Sequence, residues 1–330
     1  MQAILEIEQL AEMCRFYGER FDLTQAAGGN ISVKFNDLMF IKASGVALSS
    51  VTEESGYATI DNKELRMDVE AGRYGKITAY NDSIMGPRGS METYMHSFLP
   101  KYVVHLHPIQ VNSILVQKDA RKICQKLFPN ALFLDYVAPG VKLAKKLRKE
   151  WKGQNFILLA NHGIIATSDS LAEVKKIVKQ ALKVCEKYLD TSFDRYDNVN
   201  KISSIIMSLT GEPCVTYLSE ANSNGGFIFE GSMFPDKIIF CGSKFLFTDK
   251  LTKQVFQNFI DCNGYAPKVV RYSDDTYLVG KSINQCRDAE AILLANASVY
   301  SNGRQRALTA TQEKELINMD AEKYRSNLKA

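Results

Sequence analysis

The sequence lacks the features of exported and membrane proteins. No apolar run approaches the roughly 20 residues that a membrane-spanning helix needs. The amino-terminal stretch MQAILEIEQLAEMCRFYGERF has no basic segment and carries acidic residues within its apolar pattern, which is typical of an amphipathic helix and not of a signal peptide. The seven cysteines are scattered without a CxxC pair, which argues against a disulfide framework and against a thiolate zinc site. We therefore expect a cytoplasmic protein with reduced thiols.

The sequence also has little excess of one charge over the other. The net charge is only +4, from 41 basic and 37 acidic residues, and the clearest basic run, Lys142–Lys152, is typical of a solvated helix face. A nucleic-acid-binding surface needs a larger basic excess with interleaved aromatic residues. We therefore expect a small-molecule partner, and neither a nucleic acid nor a membrane.

The length predicts two domains, because 330 residues exceed the roughly 250 to 300 at which a single core stops growing. Strand and helix patterns mix along the chain, including a hairpin turn at Asn36-Asp37 and a capping box that starts a helix at Ser170. Loop signals follow residue 200, at TGEP and NSNGG. We predict an α/β protein with a larger domain over residues 1–205 and a smaller α/β domain over residues 206–330.

Histidine is rare as well, which makes the placement of the four histidines informative. The stretch YVVHLHP ends a short apolar run with His105 and His107, and residues two apart in a strand point to the same face. His162 follows a strongly apolar strand, NFILLA, at a glycine turn. Catalytic zinc commonly takes three protein ligands and keeps one position open. The three histidines are therefore a candidate metal set, and the alternative is a coincidental pair with one histidine in the core.

Glu92 lies upstream of the histidine pair, in GSMETYMH, and is a candidate fourth ligand or general base. The alternative for this residue is an ordinary carboxylate on a helix surface. His96 follows one helical turn later, which favours a role in helix packing or in support of the site.

Three blocks in this order and spacing resemble the class II aldolase/adducin family, which includes fuculose-phosphate and rhamnulose-phosphate aldolases and ribulose-phosphate 4-epimerase. The blocks are AAGGNISVKF followed by KASG, then GSMETYMH followed by VVHLHP, then LLANHGIIA followed by a helix. The similarity covers about residues 1 to 200. It implies a three-layer α/β/α catalytic domain, with the smaller C-terminal α/β domain as an addition that the short aldolases lack.

The resemblance also implies a mechanism and a set of site residues. Zn²⁺, or another divalent ion such as Mn²⁺ or Co²⁺, would be bound by His105, His107 and His162, and Glu92 would be the acid/base. The ion would stabilise the enediolate formed in reversible retro-aldol cleavage of a ketose phosphate or related polyol. A homo-oligomer, with a tetramer favoured, is implied too. The substrate phosphate would be held by Gly29, Asn30, Ser44, Gly45 and Ser90.

Two positions depart from the family pattern. The sugar-phosphate aldolases usually have two adjacent serines before the glutamate, whereas this chain has Ser90-Met91, so one phosphate-binding hydroxyl is missing. The tyrosine acid that the family donates across a subunit interface has no secure match, and Tyr136 is the nearest candidate.

Other functions are compatible with parts of the pattern. An epimerase on the same scaffold also breaks and re-forms a bond, but the family's epimerases carry Asp at the position of Glu92. A non-catalytic, adducin-like interaction module would be expected to lose metal ligands. A cupin would need a glutamate soon after the HxH pair, and an amidohydrolase would need more histidines downstream.

Overall fold

The computed structural model describes residues 2–75, 87–220, 230–301 and 306–318. The chain divides into two compact units, Met1–Phe193 (unit 1) and Asp194–Ala330 (unit 2). The predicted boundary at residues 205 and 206 falls inside a helix, Asp194–Thr210, with which unit 2 begins. None of the helices in the described ranges is long and apolar enough to cross a membrane.

Unit 1 is built on a seven-stranded sheet. Its strands are β1 (Asn30–Phe35), β2 (Leu38–Lys42), β3 (Tyr57–Asp61), β4 (Tyr102–Leu106), β5 (Leu132–Leu134), β6 (Phe156–Leu159) and β7 (Gly163–Ser168). The strand order is β3-β2-β1-β4-β7-β6-β5. Every neighbouring pair is antiparallel except β5 and β6, which are parallel. The strand that carries the first predicted metal ligand, β4, therefore lies at the centre of the sheet.

Helices cover both faces of this sheet. They are α1 (Gln2–Gly18), α2 (Asn62–Glu70), α3 (Thr93–Ser97), α4 (Ile109–Leu115), α5 (Ala120–Leu127), α6 (Val141–Glu150) and α7 (Leu171–Leu189). One core cluster joins α1, α4, α5 and α7 to one face, and a second joins α2, α3 and α6 to the other. Burial of apolar side chains on both faces stabilises this arrangement. The predicted α/β class and three-layer architecture are confirmed.

Local sequence signals account for several of these elements. The β1–β2 hairpin closes through Asn36-Asp37, and Asn36 adopts φ 52°, a left-handed conformation that asparagine tolerates in such turns. Helix α7 starts at the predicted cap, where the Ser170 side chain accepts a hydrogen bond from the Glu173 amide. The Glu173 carboxylate accepts hydrogen bonds from Asn155 and Ser168.

Unit 2 contains a four-stranded sheet. Its strands are β8 (Val215–Ser219), β9 (Leu246–Thr248), β10 (Val269–Tyr272) and β11 (Asp275–Gly280), in the order β8-β11-β10-β9. Its helices are α8 (Asp194–Thr210), α9 (Pro235–Cys241), α10 (Lys253–Asn263), α11 (Ile283–Ser301) and α12 (Ala310–Asn318). The core cluster of unit 2 includes Val215, Phe245, Val269, Leu278 and Leu293. The sequence predicts a final helix over 312–329, and residues 319–330 of the chain lie outside the described ranges.

Candidate metal centre

Three of the four histidines converge at one end of the central strands of unit 1. His105, His107 and His162 each offer one ring nitrogen, and these three atoms lie within 4.8 Å of one another. The Nε2 atoms of His105 and His107 are 3.1 Å apart. Within the described residues, this is the one group of three or more His, Cys, Asp or Glu side chains with that spacing.

The strand pairing explains why His162 meets the HxH pair. Strands β4 and β7 are antiparallel neighbours, with Leu106 opposite Ile164, so the residue after β4 lies beside the start of β7. A Cβ atom at Gly163 would overlap the Leu106 carbonyl oxygen and would lie 2.9 Å from the His107 ring. Glycine is therefore required at 163, because any side chain would push the two backbones apart.

Hydrogen bonds orient the histidine ligands. The Nδ1 atom of His105 lies 2.9 Å from the Ile164 carbonyl oxygen, which fixes Nδ1–H as the donor and directs Nε2 toward the other histidines. Asn112 Nδ2 donates to the His162 carbonyl oxygen at 3.2 Å and holds the loop before β7. Support of this kind is typical of metal-binding histidines.

The donor set fits a divalent ion of the zinc type. Zinc–nitrogen bonds of about 2.0 to 2.1 Å place two ligand nitrogens of a tetrahedral site about 3.3 Å apart. The 3.1 Å separation of the His105 and His107 Nε2 atoms is close to this spacing. Imidazole nitrogen is also a good ligand for neighbouring transition metals, so the three residues could hold a metal ion, and their chemistry does not identify which one.

Glu92 lies next to the three histidines and not on the helix surface. Its side chain is buried, and Oε1 lies 3.4 Å from His105 Nε2 and 3.5 Å from His162 Nε2. Burial raises the pKa of the carboxyl group, but the charge and hydrogen bond of His105 make the largest opposing contribution, and the net effect lowers the pKa to about 2. The carboxylate is therefore ionised at neutral pH and can accept a proton.

His96 is buried next to β1 and is not one of the three converging histidines. It is fully buried, and its Nδ1 lies 2.8 Å from the hydroxyl oxygen of Ser32 on β1. Burial, together with the charge of Lys34, holds the pKa of His96 well below its usual value, so the ring is neutral. The position agrees with a supporting role and separates His96 from the three converging histidines.

The residues predicted to hold a phosphate lie on three segments near the histidines. Gly29 has φ +74°, and Asn30 is opposite His105 in the β1–β4 pairing. Ser44 and Gly45 are exposed in the loop after β2, and Ser90 is half-buried two residues before Glu92. A backbone bridge from Ala43 to Gly89, and a hydrogen bond from the Ser44 amide to the Arg88 carbonyl at 2.8 Å, join the second and third segments.

Two features of this group bear on ligand binding. Asn30 is 1% exposed, and both polar atoms of its amide lack a hydrogen-bond partner. Gly45 has open space where a side chain would be. Unpaired buried amides are uncommon in proteins and point to a ligand or water that completes them.

Tyr136, the candidate tyrosine acid, is 59% exposed. Its loop approaches the site, because a Cβ at Gly140 would lie 3.6 Å from the Met91 carbonyl oxygen. The phenol is therefore accessible to solvent, and a residue four positions later in the chain approaches the segment that carries Glu92.

A buried ionic network near His107 is not predicted by the sequence. Arg20 donates to Asp22 through Nε at 2.9 Å and Nη2 at 2.7 Å, and the amide nitrogen of Gln110 donates to the same carboxylate at 2.8 Å. The main-chain oxygens of Asp22 and Leu23 accept hydrogen bonds from Ile109 and His107, at 2.8 and 3.0 Å. The network thus anchors the chain on both sides of the His107 turn. The closest signal in the sequence is the Arg-x-Asp spacing, which is too common to be informative.

Lys42 is a second residue without a predicted role. It lies within the KASG block at the end of β2, is 2% exposed, and donates to two main-chain carbonyl groups near the predicted phosphate-binding residues. The sequence signal that could have identified Lys42 is its position as a lysine at the end of an apolar strand.

Comparison with known proteins agrees with this fold. Among solved structures, the N-terminal class II aldolase domain of a conserved protein from Thermoplasma acidophilum is 25% identical and matches with a TM-score of 0.51, covering 56% of this chain and 93% of that one. An L-fuculose-1-phosphate aldolase from Thermus thermophilus is 17% identical with a TM-score of 0.39, covering 57% and 95%.

A curated relative is the uncharacterised oxidoreductase YuxG of Bacillus subtilis (strain 168), which is 21% identical over 211 residues. The match covers 58% of this chain and 30% of the relative, so the chain spans less than a third of that protein's length. The family model described as class II aldolase and adducin N-terminal domain matches residues 8–189, which is more than half of the chain. The protein therefore belongs to the class II aldolase and adducin family.

Proposed function

We propose that this protein is a divalent-metal-dependent aldolase that reversibly cleaves a carbon–carbon bond in a ketose phosphate or related polyol. The observation that carries the proposal is the placement of the Glu92 carboxylate within 3.5 Å of two of the three converging imidazoles. An ionised base beside a metal-binding set is what proton transfer next to a carbonyl group requires. A surface carboxylate would have no such role.

The histidines and Glu92 have separate tasks in this reaction. His105, His107 and His162 would hold the ion, which when bound supplies Lewis-acid stabilisation of negative charge on substrate oxygens. In the direction of bond formation, Glu92 removes the proton from the carbon next to the substrate carbonyl. In cleavage, Glu92 returns a proton to the same carbon after the aldehyde has left.

The segments around the site suit the phosphate of a sugar phosphate. Asn30 offers an unpaired amide, and the loop at Ser44 and Gly45 offers a hydroxyl and an unobstructed main chain. Backbone amides and hydroxyls in such loops are common anion ligands. With Gly29 and Ser90, these residues form the proposed phosphate site.

Tyr136 is the proposed second proton-transfer group, acting at the oxygen of the departing aldehyde. The family resemblance implies a tyrosine that reaches the site of a neighbouring subunit, and the exposed phenol of Tyr136 suits this role. We therefore propose a homo-oligomer. We also propose a cytoplasmic location, since all seven cysteines are free thiols.

A substrate screen tests the proposed reaction. Zinc-loaded protein is incubated with phosphorylated and unphosphorylated ketoses, and aldehyde release is measured alongside the stereochemistry of the recovered sugar. Metal-free protein and the variant His162→Ala are the controls. Aldehyde release that requires zinc supports an aldolase, whereas an inverted stereocentre without free aldehyde identifies an epimerase. Protein that purifies without bound metal, and does not gain activity from any divalent ion, is an adducin-like interaction module instead.

A further inference from the structure

The basic run Lys142–Lys152 has no part in the proposed reaction, and it forms one wall of a recess in unit 1. The recess has a volume of about 390 Å³ and is lined by Gly72, Tyr74, Lys145, Arg148 and Lys149. The three basic side chains lie on α6, and the other two residues follow the end of α2. Small-molecule sites commonly have volumes of roughly 300 to 1,000 Å³, so the recess is large enough for a small ligand.

The three basic side chains share one face of α6. Arg148 and Lys149 lie three and four positions after Lys145, which are the spacings at which side chains of a helix are neighbours. Like charges at these spacings destabilise a helix. None of the three forms a salt bridge with a carboxylate in the part of the chain that the structure describes. The stability of α6 therefore does not explain why three positive charges are grouped here.

The acidic side chains at the end of α2 are paired with arginines outside the recess. Asp68 forms a salt bridge with Arg73 at 2.5 Å. Glu70 forms one with Arg66 at 2.9 Å. These carboxylates are therefore engaged and do not neutralise the three basic side chains of α6.

Arg148 is held in place by the end of α2. Its guanidinium donates through Nη1 to the Val69 carbonyl and through Nη2 to the Glu70 carbonyl, the latter at 3.2 Å. Carbonyl groups at the end of a helix carry partial negative charge, which would repel an anion, and Arg148 offsets that charge. A guanidinium has five N–H donors, so donors of Arg148 remain for a ligand.

Tyr74 is also held by contacts within unit 1. Its ring packs edge-to-face against Tyr94, with the ring centres 5.4 Å apart. The Nζ atom of Lys145 lies 4.8 Å from the centre of the Tyr74 ring, which positions this ammonium group at the recess. A Cβ atom at Gly72 would meet nothing within 4 Å, so this side of the recess is open.

We propose that this recess binds a small polyanion that carries at least two phosphate or carboxylate groups, through Lys145, Arg148 and Lys149. A guanidinium matches the paired oxygens of phosphate and carboxylate, and the two ammonium groups add positive charge on the same face. A polyanion can contact more than one of the three side chains at once, whereas an ion with a single acidic group cannot. The concave shape favours a small ligand over an acidic segment of a protein. The proposal goes beyond the aldolase reaction, because none of the three side chains belongs to the candidate metal centre or to the proposed phosphate site.

Calorimetry on the full-length protein as purified tests the proposal. The probes are pyrophosphate and citrate, with inorganic phosphate as the reference, at low ionic strength because salt screens exposed charges. Lys145→Gln/Lys149→Gln is the test variant. The matched control, Lys142→Gln/Lys146→Gln, removes the same charge from the same helix at positions that do not line the recess, and Lys146 pairs with Glu150 at 3.1 Å. Any binding of a probe at the metal centre is common to all three proteins, so their comparison isolates the recess.

In the wild type, at least one of the two polyanions is expected to bind more tightly than inorganic phosphate. The test variant should weaken that binding by about 3- to 30-fold, as expected for the loss of two exposed charge pairs, and the control should remain within about twofold of the wild type. Binding of pyrophosphate alone identifies phosphate groups as the ligand chemistry, and binding of citrate alone identifies carboxylates. All four positions are on the surface of α6, so both variants should fold.

Three outcomes overturn the proposal. The first is that neither polyanion binds the wild type more tightly than inorganic phosphate. The second is that both double variants weaken binding equally, which would show a diffuse attraction to the basic helix and no site at the recess. The third is that an oligo-aspartate peptide binds while neither small polyanion does, which would identify an acidic protein segment as the partner. None of these outcomes bears on the proposed aldolase activity, which is tested separately by the substrate screen.

Discussion

Asn30 in unit 1 and Asn296 in unit 2 are both buried asparagines, but their surroundings differ. Asn296 accepts a hydrogen bond from the Met233 amide and donates one to the Gly231 carbonyl, both at 2.9 Å. Asn30 has neither polar atom of its amide paired. A buried polar group is usually satisfied by the fold, so an unsatisfied one beside a metal-binding set indicates a group kept for a ligand.

The two units also differ in their ionisable residues. Unit 2 contains no histidine, and its buried Lys237 donates to the Ser243 carbonyl and lies 4.5 Å from the centre of the Phe245 ring. Unit 1 holds all four histidines and the buried, ionised Glu92. Under the proposed function, the buried polar groups around the histidines of unit 1 serve binding and chemistry, whereas Asn296 and Lys237 of unit 2 are held by contacts within the fold.

The largest expected effect is on turnover. Glu92→Gln keeps the shape of the side chain and removes the proton acceptor, so turnover should fall by about two to four orders of magnitude while bound zinc is retained. Steady-state kinetics and metal analysis of the purified variant are the measurements. Glu290→Gln in unit 2, which changes a carboxylate that accepts hydrogen bonds from Ser219 and Glu220, should leave turnover unchanged. Near-normal turnover in Glu92→Gln would remove Glu92 from the mechanism and make Tyr136 the next residue to test.

The next effect is on stability. Asp22→Ala removes the buried carboxylate that accepts hydrogen bonds from both Arg20 and Gln110, which should lower the free energy of unfolding of unit 1 by about 3 to 5 kcal/mol. Asp275→Ala in unit 2 should cost about 1 kcal/mol or less, because the Arg195–Asp275 pair is partly exposed. Hydrogen exchange resolved by unit measures both. Equal losses would show that the Asp22 network does not anchor the His107 turn more firmly than an ordinary surface pair.

Metal removal should change the stability of unit 1 but not that of unit 2. A bound ion stabilises only the folded site, so zinc at about 100 times its dissociation constant should raise the free energy of unfolding of unit 1 by about 2.7 kcal/mol. Protection of amides in unit 2 should not change on adding a chelator. His162→Ala, tested in parallel, should abolish the zinc effect. Zinc-dependent protection that is confined to unit 2 would contradict the histidine site.

The smallest effects concern the two asparagines. Asn296→Ala removes the side-chain partner of two partly buried main-chain groups, the Met233 amide and the Gly231 carbonyl, and should lower stability by about 1 to 3 kcal/mol. Asn30→Ala removes an amide that has no partner, so stability should change by less than about 1 kcal/mol. Under the proposed function, affinity for phosphoglycolohydroxamate, a phosphorylated chelator of divalent ions, should fall. A large loss of stability in Asn30→Ala would mean that its amide supports the fold after all.

Much of the fold follows from local sequence patterns. The hairpin at Asn36-Asp37 and the cap at Ser170 are fixed by residues within four positions of each other, and both are found in the structure. The apolar run Ile238–Phe240 forms part of α9, and three such residues do not by themselves distinguish a helix from a strand. The end of unit 1 at Phe193 is not marked by Gly or Pro, so composition does not locate it.

Some features of the candidate site are likewise predictable from local sequence, and others are not. The spacing of His105 and His107 predicts a pair on one face, but the approach of His162 depends on the β4–β7 pairing, which only the family resemblance indicates in advance. The contact of Gln110 with Asp22 spans 88 residues, and that of Lys42 with Ala27 crosses a hairpin. Hydrogen bonds between segments distant in sequence leave no periodic signal, so these supporting residues become apparent only in three dimensions.

Gly163 bears on how quickly a metal ion is gained and lost. Because its backbone touches that of Leu106, His107 and His162 project from two segments already held together, and not from separate mobile loops. The conformational entropy of bringing these segments together is lost when the chain folds, before any ion arrives. Metal uptake then requires only side-chain rotation and the release of water from the ion. We therefore expect zinc uptake without a separate loop-closure step, and a larger residue at 163, which would push the two segments apart, to weaken zinc binding.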